Sequence, residues 1–275
     1  MNIILPEISV VISTYNSPKW LEKVLISYQY QDFKKFEIVI ADDGSTNETK
    51  KLITKIGATV DFKITHVWHE DLGFRKTEIL NKAILKCKAD YLLFTDGDCL
   101  ARKDFLETHM IHRKKGFFLS GGYLKLPMST SESITFDDIK QQNCFNVNWL
   151  STKGLPSSFK NNKITASKSK AKLLNRLTPT KATWNGHNAS GWKKDILAVN
   201  GFDERMQYGG EDREMGERLF NLGIKAKQIR YSAICVHLDH KRGYVTPEMI
   251  EKNNKIRKNT KKDKITRTPF GIEKL

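Results

Sequence analysis

Asp96 and Asp98 flank Gly97 directly after the apolar run Tyr91-Leu92-Leu93-Phe94. Two carboxylates separated by one glycine, which lets the chain turn, can converge on one point. Hard oxygen ligands so placed suit a divalent cation, Mn²⁺ or Mg²⁺, often completed by phosphate oxygens of a substrate. A plain Asp-Gly turn has the same composition, so the reading depends on what stands at equivalent places. Asp42-Asp43-Gly44 repeats the pattern after a β-rich run at 36–41, and Thr14-Tyr15-Asn16 follows another at 8–13.

Elements must bring these groups to one edge. The run 8–13 is β-branched and predicts a strand, with Pro18 at a helix start. Trp20, Leu21, Val24, Leu25 and Tyr28 recur at helical spacing. Strands are expected at 36–41, 60–67 and 91–94, and a helix over 75–86 on Ile79, Leu80, Ala83 and Ile84. Ser45 with Glu48 reads as a capping box for the helix after the second strand. This alternation predicts an α/β fold with a mostly parallel central sheet flanked by helices. Ligands of such sheets sit outside the carboxyl ends of the strands, where all three polar clusters fall. Neither GxGxxG nor GxxxxGK[ST] follows the first strand, which disfavours a dinucleotide fold or a P-loop.

In the second half, 117–124 is strand-like and broken by Gly121-Gly122. The stretch 151–183 is rich in Ser, Asn and Lys and is expected as a mobile basic loop with a short helix near 171–177. A helix is expected over 211–222, started by acids and ended at Gly223, then strands over 224–229 and 232–236. The last residues, 251–275, carry Lys255, Arg257, Lys258, Lys261, Lys262 and Lys264 and read as a tail, helical at first and then loosely ordered. The net charge is +16 over 275 residues, which implies an anionic partner: a nucleic acid, a lipid surface or an acidic glycan. No run has the ~20 apolar residues of a membrane span. The N-terminus lacks the marks of a secretory signal, so a cytoplasmic protein is expected. Four scattered cysteines read as reduced, buried thiols.

Taken in order, Ser-Thr-Tyr-Asn at 13–16, Ala-Asp-Asp-Gly-Ser at 41–45, Gly-Phe-Arg at 73–75 with Asn81, Asp-Gly-Asp at 96–98, Asn-Gly-Phe-Asp at 200–203 and Gly-Gly-Glu-Asp at 209–212 resemble the family 2 glycosyltransferases of GT-A fold. The second half resembles the galactosyltransferase-like module of β-1,4-galactosyltransferases and bacterial chondroitin polymerases. The resemblance covers 8 to about 240. It implies a nucleotide-sugar-binding half at 1–123, a helical basic insertion at 124–183, an acceptor-binding and catalytic half at 184–240, and a basic tail at 241–275.

It also implies roles. Thr14, Asn16, Asp42 and Asp43 would hold the uridine of a UDP-sugar, and Arg75 would lie near the nucleotide or its diphosphate. Asp98 would ligate Mn²⁺ or Mg²⁺, with His237 as a further ligand and His240 in reserve. Asp96 would reach the ribose, or the metal through water. Gly209 and Gly210 would let the backbone approach an acceptor sugar, with Glu211 holding hydroxyls and Asp212 as general base. Asp at 212, where retaining relatives tend to carry Asn, implies inversion. Two departures stand out: Tyr208 occupies a place where relatives carry Trp, and His187 one where they carry small residues, so both would touch the acceptor. Trp184 and Trp192 read as core.

The expectation is a metal-dependent inverting transferase of a hexose or N-acetylhexosamine, galactose or N-acetylgalactosamine favoured, acting on a bacterial surface glycan. Its basic segments would rest on the anionic inner face of the cytoplasmic membrane. The alternatives are a retaining transferase of the same fold and a basic nucleic-acid-binding protein. The acidic pairs at the centre argue against the latter, and no nucleic acid is expected as a partner.

Overall fold

A computed structural model describes residues 5–240 and 245–274. The first half alternates β1 (Ile8–Thr14), α1 (Pro18–Gln29), β2 (Phe36–Asp42), α2 (Asn47–Gly57), β3 (Lys63–Trp68), α3 (Lys76–Lys86) and β4 (Tyr91–Asp96). There follow β5 (Cys99–Ala101), α4 (Phe105–His112), β6 (Phe117–Ser120) and β7 (Gly122–Lys125). Five helices come next: α5 (Met128–Ser133), α6 (Phe136–Lys140), α7 (Val147–Thr152), α8 (Asn162–Thr165) and α9 (Lys168–Leu177). The chain then runs through β8 (Ala189–Trp192), α10 (Lys193–Ala198), α11 (Glu211–Asn221), β9 (Lys225–Gln228), β10 (Ile234–His237) and α12 (Pro247–Lys262).

Seven strands form one sheet in the order β3-β2-β1-β4-β8-β6-β9. It is mostly parallel, as expected, but β8 runs antiparallel to both β4 and β6. A second sheet, β5-β10-β7, sits beside it. The order reverses between β1 and β4, which makes the crevice beyond their carboxyl ends the natural ligand site. Register places Ser13 opposite Asp96 and Thr14 opposite Asp42, so the three polar clusters share one edge.

Period-two alternation divides the core. Ile8, Val10 and Ile12 of β1 pack with α1, α2 and α4, while Val11 packs with α3, α10 and α11 on the other face. Trp184 is fully buried between Phe94 and Phe118, as expected of a core residue.

The Asn-Gly-Phe-Asp segment is a junction. Asn200 and Gly201 both take left-handed backbone, φ +67° and +66°. The Asn200 amide bonds the Thr268 and Glu273 backbone, Asn81 of α3 bonds the Phe202 backbone at N and O, and Arg218 of α11 donates to the Val199 and Gly201 carbonyls. Arg218 is fully buried and its charge is met by Glu214 one turn earlier, which is what makes a buried guanidinium tolerable.

Three expectations need correction. Ser45 and Glu48 do not form a capping box: Thr46 is the N-cap, and the Ser45 hydroxyl instead accepts from the Asn16 amide. Much of 151–183 is helical rather than an open loop, because Ile164 and Ala171 are buried and Asn175 bonds Tyr231 and Ser232. The C-terminal segment is helical at first, as expected, but it is neither detached nor loose afterwards. α12 packs along α11 through Arg257–Glu217 and Thr260–Glu214, and Thr268 is buried against Asp203.

Candidate functional site

At the end of β1, Thr14 is nearly buried and its hydroxyl has no hydrogen-bond partner. Gly97 lies against it: a Cβ there would stand 3.1 Å from the Ser13 carbonyl and 3.2 Å from the Thr14 hydroxyl. Asn16 takes φ +44° and ties the first loop to the second, its Oδ1 accepting from the Thr46 amide. Asp43 receives His69 Nε2 at 2.7 Å and the Arg75 backbone N–H at 3.1 Å. Burial pushes its carboxyl up, against the pull of His69. The Arg75 guanidinium donates to the Glu70 carbonyl and pairs with Glu78 at 3.3 Å.

Asp42 does not share this opening. It is fully buried, one oxygen accepting from the Ser45 amide and the other 2.8 Å from His66 Nε2. In this position it shapes the loop. Tyr15, half exposed, donates to Asp71 across the rim and was not singled out from the sequence.

At the end of β4 the two aspartates part company. Asp96 accepts from the Ser13 hydroxyl at 2.7 Å and from the Lys76 ammonium at 2.9 Å. Burial alone would raise its carboxyl, but Lys76 and Ser13 outweigh that and hold it below the usual carboxylate range. Burial also works against the Lys76 ammonium, yet Asp96, Glu211 and Asp212 together keep it well above an ordinary lysine. Asp98 faces the other way, its Oδ2 3.0 Å from His240 Nε2 and 3.6 Å from His237 Nε2. Ligand atoms of Asp98, Cys99 and His237 lie within 4.8 Å of one another. The Cys99 thiol is raised by a hydrogen bond with the free Cys235 thiol and by burial, and so stays protonated. Asp98, His237 and His240 therefore come together, and Asp96 is not among them. It is held instead in an ion pair with Lys76.

Across the crevice, Gly209 and Gly210 adopt φ +107° and +86° and lead into α11. Glu211 is buried and accepts from the Gly209 amide. Its carboxyl is pushed up to about 7 by burial and then by Asp212. Asp212 is less enclosed. It accepts from the Gly186 and Arg213 amides at 3.0 and 2.7 Å, and burial raises it too. The Tyr208 ring meets Phe74 edge-on. His187 packs its ring against Tyr123, centroids 4.4 Å apart, and burial pulls it down to about 4, so it is neutral at pH 7.

Two residues that hold this arrangement were missed. Lys76 joins the Asp96 side to the Glu211–Asp212 side. Its only signal was a cation at a helix start, where the dipole disfavours one. Asn253 of α12 is fully buried, and its amide donates to the carbonyls of Gln207, Tyr208 and Gly209. Nothing in the surrounding lysine-rich sequence marks it. Chemically, the crevice offers a carboxylate–imidazole group able to hold a divalent cation and, opposite it, a carboxylate able to take a proton.

Residues 9–116 match the model of glycosyl transferase family 2, and residues 179–241 match that of the N-terminal domain of galactosyltransferase. The poly(ribitol-phosphate) beta-N-acetylglucosaminyltransferase TarS of Staphylococcus aureus is 33% identical over 101 residues, 36% of this chain and 17% of that protein. The chondroitin synthase of Escherichia coli is 24% identical over 252 residues, 86% of this chain and 35% of that protein. The chain thus spans a sixth to a third of the length of these relatives. The structure of TarS residues 1–349 in complex with UDP-GlcNAc superposes with a TM-score of 0.58 at 18% identity, covering 91% of this chain and 64% of that one. The mannosyltransferase PcManGT from Pyrobaculum calidifontis, in complex with GDP-Man and Mn²⁺, superposes with a TM-score of 0.57 at 20% identity, covering 87% and 59%.

Proposed function

We propose that this chain, which joins a family 2 glycosyltransferase segment to a galactosyltransferase-type segment on one GT-A fold, is a metal-dependent inverting glycosyltransferase. The observation that carries the reading is that Lys76 serves two carboxylate sets at once: it pairs with Asp96 at the end of β4 at 2.9 Å, and the charges of Glu211 and Asp212 at the start of α11 act on the same ammonium. The donor is a UDP-sugar carrying a hexose or N-acetylhexosamine, with galactose or N-acetylgalactosamine favoured by the 179–241 match. UDP-GlcNAc in TarS and Mn²⁺ in PcManGT support the donor and metal classes.

Thr14 and Asp43 line the uridine side, and Lys76 keeps Asp96 ionised for the ribose. Asp98 with His237 and His240 would hold the cation, which when bound supplies positive charge to the leaving diphosphate. The Asp98 carboxylate, with oxygens of the diphosphate, suits Mn²⁺ or Mg²⁺, and the imidazoles suit a transition metal, which leaves Mn²⁺ the better match of the two. Asp212 takes the proton of the acceptor hydroxyl as that oxygen bonds the anomeric carbon and the bond to the diphosphate breaks on the opposite face. Gly209 and Gly210 leave room for the sugar, Tyr208 offers it a ring, Glu211 holds its hydroxyls, and neutral His187 can donate or accept. Proton NMR of the product from an α-linked UDP-sugar is expected to show a β-linkage; an α-linkage would make the enzyme retaining and remove Asp212 from this role.

The acceptor, on this reading, is a surface glycan built at a membrane. No helix among the described residues is long and apolar enough to cross one. Between Asp138 and Asp195 the chain has no acidic residue, yet it carries eleven lysines and arginines there. On α9, Leu173 and Leu177 are 54% and 65% exposed among Lys168, Lys170, Lys172 and Arg176. Such a helix suits the surface of an anionic bilayer, where each cation contributes about 1 kcal/mol. Co-sedimentation with phosphatidylglycerol vesicles at low salt is expected, weakened by Leu173→Ser with Leu177→Ser. Equal sedimentation with neutral vesicles, or none with either, would sink this part.

A further inference from the structure

The helical insertion delivers one cation into the body of the protein. Lys163 of α8 donates to the Tyr123 carbonyl at 2.5 Å, and its ammonium stands 5.6 Å from the Tyr123 ring centroid. Arg230, just past β9, lies across the neighbouring backbone: a Cβ on Gly122 would stand 2.7 Å from its Cγ. The Arg230 Nε is buried and has no hydrogen-bond partner. Burial, and then Arg230 itself, pull the Lys163 ammonium down to about 8, and no carboxylate is among the groups acting on it.

Both side chains are half-buried, and two neighbouring cations partly withdrawn from water with no carboxylate paired to them among the described residues are unfavourable. The fold nonetheless holds both, Lys163 by its carbonyl bond and the 230–232 turn by Asn175 of α9. Tyr123, which both cations adjoin, also borders the crevice: its ring packs 4.4 Å from His187 and 5.2 Å from His237 between centroids.

We propose that Lys163 and Arg230 form a subsite for a phosphate-type oxyanion beside Tyr123, next to the crevice that holds His187 and His237. The subsite stands on its own geometry. What presents the anion rests on the transferase reading, which offers two sources: a phosphoryl group of the donor and an acidic group of the acceptor.

Inorganic phosphate is the probe. Acetylation of Lys163 in the intact parent protein, followed by peptide mass spectrometry, is expected to slow several-fold in millimolar phosphate, while exposed Lys168 and Lys170 acetylate at unchanged rates. Equal rates at Lys163 with and without phosphate overturn the proposal, whatever the variants do. Arg230→Gln is expected to need about tenfold more phosphate for the same protection, since a charge-assisted hydrogen bond is lost. Protection unchanged in that variant removes Arg230 from the subsite and overturns the pair. Saturating UDP with Mg²⁺ separates the sources. If UDP itself shields Lys163, the donor supplies the anion; if phosphate adds protection on top of bound UDP, the acceptor does. Phosphate protection in a protein that binds no UDP would sink the transferase reading and leave the subsite standing.

Discussion

Asp212→Asn is expected to lower turnover by about 10²- to 10⁴-fold, the range for loss of a positioned general base, while UDP affinity stays at the parent value. The substitution is isosteric, and Asp212 is anchored by backbone amides of Gly186 and Arg213, so the loop should keep its place. The amide NH₂ then faces one of those N–H donors, costing about 1–3 kcal/mol of stability, which a thermal melt would register separately from activity. A fall of less than tenfold with the fold intact would move the base elsewhere. The pH profile gives a second reading. Glu211 and Asp212 are both raised, Glu211 to about 7, and titrate as a pair. The parent's kcat/KM is expected to climb with pH through a limb near 7. Stability should run the other way. The folded state binds protons that the unfolded carboxylates have released, so stability falls between the ordinary carboxylate value and about 7. Activity and stability thus oppose each other in that window.

Asp98→Ala is expected to weaken UDP binding in the presence of Mn²⁺ by at least about 100-fold, to the level that EDTA leaves in the parent. Loss of a group merely supporting a ligand costs 10–100-fold, and Asp98 is read as a ligand itself. The backbone need not move, because the bond that ties this turn to β10 runs from the Leu238 amide to the Asp98 carbonyl oxygen. Calorimetric titration of UDP with Mn²⁺ and with EDTA gives all four values. UDP binding equally tight in EDTA would show that the nucleotide is held without a cation, and His237 and His240 would then need another purpose.

The strand ends were legible because β-branched runs stop at polar clusters, and a parallel sheet brings such ends to one edge. The direction of each side chain was not. Asp42 and Asp43 are neighbours, and chain parity sends one to His66 and the other to His69 and the Arg75 backbone. Asp96 and Asp98 diverge in the same way, one to Lys76 and one to the histidines. Short β8, Ala-Ser-Gly-Trp, carries no mark of direction, and its antiparallel run depends on pairing with both β4 and β6. The Asn-Gly-Phe-Asp motif was visible, but its work as a knot between α3, α11 and the C-terminal segment depends on contacts up to 121 residues apart.

Asn253 gives the order of synthesis a bearing on activity. Ribosomes deliver β1 to β4 first, and the two matched segments end at 241. The carbonyls of Gln207, Tyr208 and Gly209 meet their donor only 44 to 46 residues later. A nascent chain can therefore complete its parallel strands, and bring Asp98 to His237, while the loop before Glu211 and Asp212 still lacks its clamp. The 207–209 loop gains its donor only when α12 has followed it out of the exit tunnel.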